Sequence, residues 1–405
     1  MREKFYCIKQ LRPDMGKLNV HVPQSLMRLS NHCSFSIIIF LLCKISFLLL
    51  PAPSFCKTQN TISILWKQPV DQPICLTMSP QGEYYGVVEK DGTVRFYSQH
   101  GMLIWKQEVA EATNLLIAKK GQSILVYSKL NPSCQYVSFY RKDGRRLWRH
   151  KVESSIWAGA VSPDGTLAAV TSGDRYVYVY KPDPERPSYR RWKLNGIGYQ
   201  VVFSADSKRL IIGTNEESAL VCYDIYGHLL WRCKYDENVR YKLSASAGGR
   251  TILGVLPGTP DDPRVELCIW NSHGKRLWKR SINAFNARAL ISPQSRYVAV
   301  SYARYLDKDD YETVERKIAV YSSGGRLLWE KGGLFFEPSL VALSPNGSSV
   351  IVSDGKKSLY NIDNRGKLLS KFTLPATIRD AISSDDGDVI LLYCGNGWLY
   401  LLRTN

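Results

Sequence analysis

A short phrase, glycine followed four residues later by tryptophan, recurs through the chain and limits its architecture more than any other feature. The clearest copies run from Gly101 to Trp105, Gly144 to Trp148, Gly227 to Trp231, Gly274 to Trp278 and Gly325 to Trp329. Degenerate copies end at Trp66, at Trp192 and at Ser370, where serine stands in the tryptophan position. The eight positions 66, 105, 148, 192, 231, 278, 329 and 370 are spaced by 39 to 51 residues. A unit of about 40–50 residues has room for four short strands, and such units bury their faces by stacking on copies of themselves.

A second marker keeps the same period. Ser79-Pro80-Gln81-Gly82, Ser162-Pro163-Asp164-Gly165, Ser292-Pro293-Gln294-Ser295 and Ser344-Pro345-Asn346-Gly347 place proline and a small residue where a tight turn needs them, with looser versions at Ser204, Ser246 and Ser384 and a copy at Ala118-Lys119-Lys120-Gly121. The segments after these turns, such as 167–171, 210–214, 350–353 and 389–393, are apolar at nearly every position. Strands of that kind are covered on both faces. The next segments, among them 176–180, 219–223, 318–321 and 398–402, are rich in the aromatic and β-branched residues that strands favour. The pattern predicts an all-β, eight-bladed β-propeller of four-stranded antiparallel blades. The chain stops at Asn405 just after a third strand, while the segment around Trp66 has no strands ahead of it. The N-terminal strand is therefore expected to complete the last blade and close the ring.

Residues 1–54 are expected to be an export signal or a membrane anchor, with a second start at Met27. Arg28 supplies the positive flank, 37–50 the apolar region and 52–54 the small residues of a cleavage site. If retained, residues 34–55 are long enough to span a bilayer. A lipoprotein ending at Cys56 fits less well, because Phe55 is bulky where a small residue is needed. Each reading puts the body, residues 55–405, outside the cytoplasm. The uniform repeat makes that body a single domain, and a monomer is expected.

The formal charge is +18 for the chain and +13 for the body, spread without a run of five like charges. That excess suits an acidic partner, and nucleic acid is not the expected one. Of the ten cysteines none forms a Cys-x-x-Cys pair, and Cys222 and Cys268 sit in apolar strands as small hydrophobes. No disulfide framework is indicated among Cys75, Cys134, Cys222, Cys233, Cys268 and Cys394, although Cys222 and Cys233 lie on strands that would be neighbours.

From Thr61 to Asn405 the Gly-to-Trp repeat resembles the pyrroloquinoline-quinone-like propeller family, which includes quinoprotein dehydrogenases and non-catalytic envelope propellers; the Ser-Pro turns also look like those of WD40 propellers. The resemblance implies that Trp66, Trp105, Trp148, Trp192, Trp231, Trp278 and Trp329 each dock on the repeat motif of a neighbouring blade, with Ser370 departing from the pattern. It also implies that alcohol-oxidising members hold their cofactor under adjacent cysteines and beside an acidic calcium set. No Cys-Cys pair occurs in this chain, so no cofactor is expected.

Catalytic and metal-binding patterns are not found either. His100, His228 and His273 occupy the repeat turns, and His150 has no ligand-spaced companion. A Gly-x-Ser-x-Gly elbow and a phosphate-binding Gly-rich loop are both missing. What stands out are long insertions at 257–264 and 304–317, the second carrying Asp307, Asp309, Asp310, Glu312 and Glu315 without the spacing of a calcium loop. Both should overhang one mouth of the channel. Arg240, Arg288 and Arg379, with Trp157 and Tyr199, fall near the starts of innermost strands and are the candidate binding residues at that mouth. The expected function is an exported, non-enzymatic scaffold for a protein or anionic envelope polymer. The alternative is an enzyme at the channel mouth, quinone-dependent or acting on polysaccharide.

Overall fold

The computed structural model describes residues 62–404 apart from 130, 132–135, 182–187, 217, 236–240, 247–249, 307–312, 334–338 and 345–346. The expected export segment, Cys134 and Arg240 lie outside the described residues. The described strands form eight four-stranded antiparallel sheets. Blades 1 to 7 occupy residues 73–108, 114–151, 156–193, 198–234, 242–283, 285–332 and 339–373. Blade 8 takes three strands from 378–404 and its outermost from Ile62–Pro69.

Closure follows the expected route. Ile62–Pro69 runs antiparallel to Trp398–Thr404, pairing Ile62 with Thr404, Trp66 with Leu401 and Pro69 with Trp398. Each innermost strand contacts the innermost strands of the blades on either side, through to blade 8 against blade 1. Eight apolar clusters fill the eight blade interfaces; one joins Leu391, Leu399 and Leu401 of blade 8 to Leu76, Tyr85 and Val87 of blade 1. The second strands are buried along their length, as Ala168–Ser172 and Ile124–Tyr127 show, because each is sandwiched between two other sheets.

The tryptophans are the staples. Six outer strands send an indole onto the glycine of the next blade's third-to-fourth turn: Trp66 onto Gly101, Trp105 onto Gly144, Trp192 onto Gly227, Trp231 onto Gly274, Trp278 onto Gly325 and Trp329 onto Gly366. The turn has to be glycine for two reasons. Its φ is positive, +87° at Gly144, and a Cβ there would lie 2.7 Å from Cγ of Trp105. The indole N–H of Trp66, Trp231 and Trp278 donates to the carbonyl two residues before that glycine, at 3.2, 3.1 and 2.7 Å. Two residues after the tryptophan, Gln68, Gln107, Arg280 and Lys331 donate to the glycine carbonyl itself. Each such dock is worth a few kcal/mol of buried aromatic surface, roughly 2–3.

Both exceptions have a mechanical reason. Blade 3 has no glycine between its third and fourth strands, and Trp148 packs on Tyr180 and Tyr189 of that blade, ring centroids 5.2 and 6.3 Å away. Ser370 faces blade 8, whose outer strand arrives from the N-terminus. No hairpin turn joins it to the third strand, and an indole at 370 would have nothing to hold.

The serines of the second marker work the same way inside each blade. Oγ of Ser79, Ser162, Ser204, Ser292, Ser344 and Ser384 accepts backbone N–H groups four or five residues on. Ala118 has no hydroxyl, and its turn tightens into a 3-10 turn, Lys119–Gly121, with Lys120 at φ 56°. Cys222 and Cys233 are free thiols: the register sets Cys222 opposite Trp231 and Cys233 opposite Leu220.

Candidate functional site at the loop-face mouth

Four antiparallel strands per blade give the ring two unlike faces. On one, the turn face, lie the first-to-second and third-to-fourth turns; the backbone ties them to each other, as Ser272 N–H to Arg250 O and Ser323 N–H to Arg296 O. On the other, the loop face, lie the second-to-third loops and the links between blades.

The loop-face mouth opens into a cavity of about 550 Å³. Arg288 of blade 6 and Arg379 of blade 8 line it together, across Ser339 and Ser353 of blade 7, with Asp380 on its wall. Arg288 donates to Ser339 Oγ at 3.2 Å. Arg379 lies along Gly395, where a Cβ would come within 3.3 Å of its Nε. The low-dielectric wall pushes the Asp380 carboxyl above its usual range; the Ala381 N–H and the charge of Arg288 pull it partly back.

A β-bulge explains why these side chains reach the mouth. Near the start of the innermost strand the pairing slips between Ile156 and Ala158, Gly198 and Gln200, Phe285 and Arg288, and Ile378 and Asp380. Trp157, Tyr199 and Arg379 are the extra residues, and Arg288 follows its bulge directly. A bulge turns one side chain off the strand's strict alternation. Of the four described candidates only Arg288 and Arg379 line the cavity. Trp157 sits against Gly173, and the Tyr199 hydroxyl meets Tyr235 at 2.5 Å while accepting the Tyr241 N–H at 3.1 Å. Arg240 is outside the described residues. Sequence reasoning missed Lys242 and Ser339, which also line the cavity; both begin innermost strands, and that shared position was the available signal.

Described parts of the two insertions touch beside this mouth. Gly258 lines the cavity, Pro257 O accepts the Ala287 N–H at 2.8 Å, and the Tyr305 hydroxyl donates to Pro260 O at 3.5 Å. Glu315 is held by Arg304 at 2.9 Å and Lys317 at 3.4 Å. Asp307, Asp309, Asp310 and Glu312 lie outside the described residues. No group of three or more His, Cys, Asp or Glu among the described residues could hold a metal ion.

The turn-face mouth has a larger hollow, about 890 Å³, walled by the repeated turns. Two of its carboxylates serve those turns, while burial raises a third, Asp385, above its ordinary pKa. Asp164 accepts from Ser162 Oγ at 2.6 Å and from the Thr166 N–H at 3.0 Å, and Asp386 from Ser384 Oγ at 2.5 Å. Desolvation alone would raise the Asp164 carboxyl, but the hydrogen bonds of Ser162, Thr166 and Ser207 carry it below its ordinary value.

No family model matches the chain, and no curated protein matches it. Solved structures do. The Dos1 propeller superposes with a TM-score of 0.65 at 13% identity, covering 84% of this chain and 95% of that one. The C-terminal WD40 domain of Sif2 gives 0.62 at 13% identity over 85% and 99%. BamB from Moraxella catarrhalis gives 0.58 at 12% identity over 85% and 98%. At such identities the likeness establishes the β-propeller fold.

Proposed function

We propose that the chain is an exported, non-enzymatic propeller scaffold, residues 1–54 directing or anchoring it, that holds a protein or an anionic polymer at the cell envelope by its loop-face mouth. The carrying observation is the pair Arg288 and Arg379 facing one cavity. Two guanidiniums present planar, paired donors that suit a carboxylate or phosphate. The Trp docking favours the quinoprotein-type branch, and the WD40 and BamB neighbours fit a protein-holding role. For a glycoside hydrolase two carboxylates about 5–9.5 Å apart are needed, and among the described residues this cavity offers Asp380 beside arginines instead.

The test uses poly-glutamate as the probe. It should raise the melting temperature of the wild-type body clearly more than that of the Arg288→Ala/Arg379→Ala double variant. An equal shift in both proteins removes the mouth from the account.

A further inference from the structure

The fold gathers charge that is scattered in the chain. The fourth strands of blades 2 to 5, Arg146–Lys151, Ser188–Lys193, Leu229–Lys234 and Arg276–Asn283, carry eleven Lys and Arg and no Asp or Glu. The four remaining fourth strands carry four lysines and two glutamates. These strands are the outermost of their blades, and all eleven cations except the half-buried Lys279 are exposed. Among the described residues Lys279 is held to Glu266 at 3.0 Å and Arg191 reaches Glu153 at 3.9 Å.

We propose that this half of the circumference is a curved basic track for a flexible anionic polysaccharide, separate from the loop-face mouth. The shape selects the partner. Four blades of an eight-bladed ring turn through more than a third of a circle, so a flat membrane or a straight duplex touches one or two of them while a flexible chain can follow all four. Single-stranded nucleic acid is held by base stacking on a row of open aromatic faces. Here three tyrosines carry arginines, Arg149 over Tyr136 at 3.6 Å, Arg190 over Tyr226 at 4.7 Å and Arg191 over Tyr176 at 4.9 Å, while Tyr189 and much of Tyr226 stay exposed, so charge outweighs stacking surface along the arc. Stacking steadies each guanidinium and leaves its edge for a sulfate or carboxylate.

Heparin is the probe, with two variants of equal charge change. Replacing Arg149, Arg190, Arg191 and Arg232 by Gln should weaken heparin binding about tenfold or more at low salt and flatten its dependence on salt. Replacing Lys67, Lys106, Lys331 and Lys371 by Gln should change it less than about twofold. Equal losses in the two variants would mean bulk charge and overturn the track. Single-stranded DNA of matched charge should bind more weakly than heparin; tighter binding overturns the glycan assignment. Arg288→Ala/Arg379→Ala should keep heparin affinity, and losing it there would move the polymer into the mouth and sink the proposal. If the fourfold arginine variant does not fold, Arg190→Gln/Arg191→Gln carries the same test with a smaller, same-direction loss.

Discussion

The turn face and the loop face are built from the same thirty-two strands, yet they are opposite in kind. Nearly everything the chain repeats sits on the turn face: the serine that accepts N–H groups, the glycine at positive φ and the indole that covers it. The serines hold backbone N–H groups and the indoles pack on the glycines, so repetition there means structure. On the loop face the blades differ, and the differences bring insertions, bulged side chains and two arginines to one cavity. In a ring of copies, the departures from the repeat are where a ligand can be recognised.

The comparison can be broken in order of effect. Trp105→Ala removes a largely buried indole from Gly144 and should cost about 3–5 kcal/mol in urea unfolding. A loss below about 1 kcal/mol would strip the turn face of its stapling role. Ser162→Ala leaves the Leu167 N–H and Asp164 without their hydroxyl partner and should cost about 1–2 kcal/mol by the same measurement. If the loop-face arginines are there to bind rather than brace, Arg288→Ala/Arg379→Ala should cost within about 0.5 kcal/mol. A large destabilisation there would make the two faces alike.

Acid sharpens the contrast through its sign. Asp164 has its pKa lowered by folding, so its contribution is present above the unfolded value of 3.8 and lost as pH falls through the folded one. Asp380 is raised, so protonating it as pH falls through its folded value favours the native state. Melting curves from pH 6 to about pH 3 should therefore fall less steeply for Asp164→Asn and more steeply for Asp380→Asn than for wild type. Thiols give the smallest signal: burial pushes Cys222 up to about 12 and Cys394 up to about 11, so native-state labelling at pH 8 should spare both and, among the described thiols, reach the half-buried Cys233 before them.

The fold was legible because its cause is local and periodic. Gly-to-Trp and Ser-Pro each describe one turn, and eight copies at a fixed spacing leave few architectures. The N-terminal closing strand followed from matching two incomplete units. The docking partner of Trp148 was not legible, because it depends on an absent glycine forty residues away. The mouth was half legible: position along the innermost strand picked out Arg288 and Arg379, but the bulges and the turning of Tyr199 toward Tyr235 are set by contacts between strands. The basic arc escaped a linear reading altogether. Its cations are separated by a whole blade in the chain and become neighbours only when outer strands line up around the ring.

Hydrogen-exchange footprinting of the body with poly-glutamate tests most directly whether recognition belongs to the loop face. Protection should appear at 257–258, 285–288 and 377–381 and be absent from the turns 79–82 and 162–165. Protection of those turns, with the loop-face segments unchanged, would contradict it.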